Sequence, residues 1–68
     1  MTARARAVEE TRGRILDAVL LLHEQRLSAD ISLADVADEA GVSVQTVLRH
    51  FGSREGLIDA AIERATAD

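Results

Sequence analysis

Several side chains suited to directional polar contacts lie close together in one short stretch. Gln45, Thr46, Arg49 and His50 fall between Ser43 and Gly52, and the run from 41 to 54 carries Arg49 and Arg54 with no acid. Arginine presents a planar fork of donors that matches phosphate or the O6 and N7 acceptors of guanine, while Gln, Thr and His offer mixed donors and acceptors. That is the chemistry of recognition. No nucleophile, base and orienting group can be assembled from the remaining residues, and no glycine loop for phosphates is present, so an enzyme is not expected. His23 and His50 have no partner at metal-ligand spacing, and the chain has no cysteine for a thiolate site or a disulfide. Neither a metal nor a cofactor is implied. Asp35, Asp38 and Glu39 read as a solvated helix face.

The elements that must position these residues are all helical. No proline occurs, and glycine stands only at 13, 41, 52 and 56. Ile15, Leu16, Val19, Leu20 and Leu22, with His23, recur at spacings of three and four and predict a first helix over about 8–26, with His23 as a core or boundary residue. Ser32 followed by Asp35 resembles a capping box with the shorter acid. Leu33, Val36, Ala37 and Ala40 then predict a short second helix. Gly41 is placed to end it with a positive φ, and Ser43 to cap a third helix carrying Val44, Val47, Leu48 and Phe51. Gly52 stops that helix, Ser53 caps a fourth, and Leu57, Ile58, Ala61, Ile62 and Ala65 form its stripe. Residues 1–7 lack a packing pattern and are expected to form a flexible arginine-containing arm.

With 68 residues the chain can form a single domain with one small core. Phe51, the only aromatic, is expected to be buried where the third and fourth helices meet, so that its loss unfolds the chain. No stretch reaches the length of a signal peptide's apolar core or a membrane span, which points to a soluble cytoplasmic protein. The net charge of −4 runs against nucleic-acid binding at first sight. Its distribution does not. Arg4, Arg6, Arg12 and Arg14 outnumber Glu9 and Glu10 in residues 1–14, residues 41–54 are basic, and the acid excess lies in 15–40 and 55–68.

Two short helices joined by a glycine-containing turn are the local signature of a helix-turn-helix, here spanning Leu33 to Gly52. Ala37 is small where the helices would cross, and Val36, Val42 and Val47 would fill the wedge between them. An ordinary antiparallel helix pair would tolerate the same apolar spacing but be indifferent to the polar residues. The run TRGRILDA at 11–18, then SLADVADEAGVSVQTVLRHFGSREGL at 32–57, closely resembles the N-terminal domain of TetR-family transcriptional regulators. The resemblance implies an all-α, homeodomain-like bundle of three helices plus the start of a fourth, occupying 8–68. It also implies a bacterial regulator, usually a repressor and a homodimer on a palindromic double-stranded DNA operator, with the recognition helix, about 44–51, in the major groove. A second domain for ligand binding and dimerisation, expected to lie outside this chain, would bind a small inducer. On that view the chain is a truncated fragment, monomeric by itself, and Leu21 and Ile62 are surface that the second domain would cover.

Carried over by the resemblance, Ser32 matches a phosphate-touching position at the start of helix two. Val44, Gln45 and Thr46 match positions facing bases and backbone, Arg49 and His50 match contacts near the end of the recognition helix, and Arg54 matches a basic residue that grips a phosphate. Arg49 is the candidate for base readout, and Arg4 and Arg6 are candidates for a minor-groove arm. The sequence departs from the family at Leu48, where a tyrosine is common, at Ala34, where an arginine is frequent, and at His23 and Leu27, which replace an aromatic and a glycine. The lost backbone contacts imply a weaker grip on phosphates or a greater reliance on the arm. The alternative function is a helical protein-interaction module that kept the fold without DNA binding.

Overall fold

The computed structural model describes residues 3–26 and 31–67, and Leu27 lies outside them. Within these residues the elements are α1 (Ala3–Arg26), α2 (Leu33–Ala40), α3 (Val44–Phe51) and α4 (Arg54–Ala65). Every element is a helix, as the spacing predicts. α1 starts at Ala3 instead of near Val8, so residues 3–7, read as a flexible arm, are helical. Apolar periodicity reports only the part of a helix that packs. Alanine and arginine are strong helix formers and extend α1 beyond its buried face without needing a neighbour.

Serines set the starts of the three shorter helices. The Ser32 Oγ accepts from the Asp35 amide at 3.0 Å while the Ser32 amide donates to Asp35 Oδ2 at 3.1 Å, a reciprocal capping box. Ser43 Oγ accepts from the Thr46 amide, and Ser53 Oγ from that of Gly56. Each cap satisfies an amide that has no partner within its helix. α2 ends at Gly41, whose φ of 76° is costly for a residue with a Cβ. The Gly41 and Val42 amides fold back onto the Asp38 and Ala37 carbonyls, closing the turn as a Schellman motif. At the α3–α4 corner the fit is closer still: a Cβ on Gly56 would lie 2.4 Å from the Phe51 carbonyl oxygen, so only glycine lets the two backbones meet.

α1 packs on α2 and α4, and α3 is held between α2 and α4. The core is Ile15, Leu16, Ala18, Val19 and Leu22 of α1, Val36, Ala37 and Ala40 of α2, Val47 of α3, and Leu57 and Ala61 of α4. Ile15 and Val47 are 0% exposed, and no charged or polar residue is buried among the described residues. Burying each such aliphatic side chain contributes about 1.5–3 kcal/mol. Ala37 and Ala40 keep α2 close to its neighbours, and Val42 is half-buried and packs against the core.

Two expectations about the core are corrected. Phe51 is only half-buried, because it is the last residue of α3 and lies at the edge of the core. His23 is exposed, because it stands at the rim of the open groove between α1, α2 and α4, where no side chain of the described residues covers it. Leu21, at 41% exposure, and Ile62, at 56%, stand in solvent, as does Val8 at 49%. A groove of about 630 Å³ opens between α1 and α4 near the start of α2, with Val19, Leu20, Ile58 and Ile62 among its walls.

Candidate nucleic-acid interface

The α2–α3 corner presents one face of α3 outward. Gln45 and Arg49, four residues apart and so one turn above the other, are both exposed. Thr46 and His50 form the adjacent row and are half-buried. The helix is oriented by what lies on its opposite side, where Val47 is fully enclosed and Val44 and Phe51 pack partly on the core. Val44 therefore divides its surface between core and solvent, and only its outer part is placed for contact.

Several of these side chains already have partners within the fold. The Thr46 hydroxyl lies 3.0 Å from Ser43 Oγ, which fixes its direction at the start of α3. The His50 ring stands 6.1 Å from that of Phe51 at a tilt of 43°. Ser32 is exposed, with its hydroxyl engaged in the α2 cap. Arg54 is the first residue of α4, exposed, and its Nη2 donates to the Ile31 carbonyl at 3.0 Å. This bond brings the N-terminal ends of α2 and α4 together, so Ser32 and Arg54, distant in sequence, lie on one edge. Arg6 is exposed on the first turns of α1, and Arg4 belongs to the same helix.

Two contacts have no signal in residue spacing. One is the Arg54 bond to Ile31, which crosses from α4 to the residue before Ser32. The other places the Arg12 guanidinium 4.7 Å from the centre of the Phe51 ring.

The arrangement offers an acid-free helix with Arg49 and His50 in its last turn and hydrogen-bonding groups along its outer side. The acids lie on the other helices: exposed Asp38 and Glu39 on α2, Glu55, Asp59 and Glu63 on α4, and Glu9, Glu10, Asp17 and Glu24 on α1. Among the described residues no group of three metal-ligating side chains converges, and no helix is long and apolar enough to cross a membrane.

A family model described as bacterial regulatory proteins, tetR family, matches residues 15–61. The chain is 44% identical over 62 residues to an uncharacterised HTH-type transcriptional regulator of Mycobacterium tuberculosis, covering 91% of this chain and 31% of that protein. It is 35% identical over 60 residues to the HTH-type transcriptional regulator BetI of Paraburkholderia xenovorans, with 88% and 31% covered. The HTH-type transcriptional regulator AlkX of Mycobacterium tuberculosis is 48% identical over 46 residues, 68% of this chain and 22% of that protein. The chain thus spans less than a third of the length of these relatives. No solved structure matches it.

Proposed function

The chain belongs to the tetR family of bacterial regulatory proteins, and on that premise we propose that it binds a double-stranded DNA operator, with α3 in the major groove. The observation that carries this is the outer face of α3, where Gln45 and Arg49 stand exposed one turn apart in a stretch without acid. Arg49 reads base edges with its guanidinium fork, and Gln45, Thr46, His50 and the outer part of Val44 complete the surface in the groove. Arg54 and Ser32 take phosphates on the edge formed by the ends of α4 and α2, which fixes the depth and angle of α3. The helical start of α1 carries Arg4 and Arg6, which must leave that helix to follow a minor groove.

The complete regulator acts in the cytoplasm as a repressor. Dimerisation on a palindromic operator and release by a small inducer rest with a second domain of the kind the family implies, and residues 1–68 alone are monomeric. Linking two such domains then supplies much of the affinity for paired half-sites.

The test separates positioning from reading. A duplex is selected from a random-sequence pool by the parent chain and titrated beside a scrambled duplex of equal length at several salt concentrations. Arg54→Ala should weaken both by similar factors and make the salt slope shallower by about one unit. Arg49→Ala should cost about 1–3 kcal/mol on the selected duplex and much less on the scrambled one. If both variants bind as the parent does, the interface is not this one, and a protein-docking role takes its place.

A further inference from the structure

α3 is well supported by α2 and α4 but meets α1, the longest helix, only sparsely. Where they do meet, the Arg12 guanidinium lies 4.7 Å from the centroid of the Phe51 ring, well within the distance at which a cation is attracted to an aromatic face. Phe51 is the last residue of α3, and its carbonyl is pinned from the α4 side by the close approach of Gly56. The ring is thus confined on one side by the core and on another by an arginine that is itself exposed. Phe51 also belongs to the C-terminal end of α3, the end of a helix whose dipole favours a cation nearby.

We propose that Arg12 is a positioning residue for α3: seated on Phe51, it ties the C-terminal end of that helix to α1 and so sets where Arg49 and His50 stand. This rests on the DNA-binding reading above. Arg49 is two residues from Phe51, and His50 adjoins it in sequence with its ring 6.1 Å from the Phe51 ring. A small rotation of the helix end displaces both. Bidentate contact with a base edge tolerates little displacement, whereas charge attraction to the backbone tolerates much more. Arg12 therefore bears on discrimination between sequences and hardly at all on general affinity.

Arg12→Met keeps most of the side-chain stem and removes the cation, and Phe51→Leu keeps an apolar group and removes the ring. With folding confirmed by circular dichroism, Arg12→Met should lower affinity for the selected duplex by about two- to fivefold, the scale of an exposed cation–π contact. Affinity for the scrambled duplex and the salt slope should not change. Arg12→Lys should recover part of the loss, and Arg12→Met should have no further effect in the Phe51→Leu background. Equal losses on both duplexes with a shallower salt slope would mean that Arg12 itself holds a phosphate, and would overturn the proposal. So would a full effect of Arg12→Met without the Phe51 ring, or none at all with it. If the parent chain selects no duplex from the pool, the DNA-binding reading fails and this one with it. That outcome differs from a parent that binds and an Arg12 variant that matches it.

Discussion

The α2–α3 corner and the α1–α4 face use the same aliphatic residues to different ends. At the corner, Val36 and Val47 are enclosed, Ala37 and Ala40 let helices approach, and Ser32, Gly41 and Ser43 define where each helix starts and stops. Across α1 and α4, Leu21 and Ile62 face water and a groove of about 630 Å³ stays open. The corner is tight because its geometry is dictated within a few residues by caps and a left-handed turn. The α1–α4 face depends on side-chain contacts between residues far apart in sequence, and those contacts reach only one side of each helix. Apolar content alone therefore says little about how firmly a region is held. Enclosure decides it.

Three substitutions can break or sharpen this contrast. The largest effect belongs to Val47→Asp, which places a carboxylate without a partner at a 0% exposed position. Its cost, several kcal/mol, exceeds what a domain of this size has to lose, so the cooperative melt seen by circular dichroism should vanish. A variant that still melts cooperatively near the parent temperature would show that the corner is looser than its packing indicates. Gly41→Ala should cost about 1–2 kcal/mol in chemical denaturation, because alanine must then hold the left-handed conformation. An unchanged midpoint would mean that the turn can rearrange without loss. Ile62→Gln should change stability by no more than about 0.5 kcal/mol, since its side chain is 56% exposed. A loss above 1 kcal/mol would erase the difference between the two regions.

The parts of the fold that were legible in the sequence are those decided locally. A serine three residues from the amide it accepts, or a glycine between two short apolar patterns, carries its structural meaning with it, and Ser32, Ser43, Ser53 and Gly41 all do what their positions imply. The outer face of α3 was legible for the same reason, because residues four apart on a helix share a side. Three features were not. The early start of α1 comes from the propensity of Ala and Arg and leaves no trace in apolar spacing. The half-burial of Phe51 depends on its place at the end of α3 and on Arg12 beside it, so the loss caused by Phe51→Ala is smaller than full burial would give. Arg54 reads as a phosphate ligand from its place at a helix start, but its bond to Ile31 depends on how α4 meets the chain entering α2.

The three serine caps have a consequence for ionic conditions. A hydroxyl carries no charge in either its free or its bonded form, and the enclosed side chains are uncharged as well. Apart from the Asp35 carboxylate that completes the α2 cap, the framework is thus largely neutral, and the Arg64–Asp17 pair between α4 and α1 is exposed and contributes little. Arginines fringe the outer surface, where counterions compete directly. Raising the salt concentration should therefore loosen contact with a polyanion while leaving the helices in place. Electrolyte becomes a dial for attachment alone, and the released protein is still folded and ready to bind again.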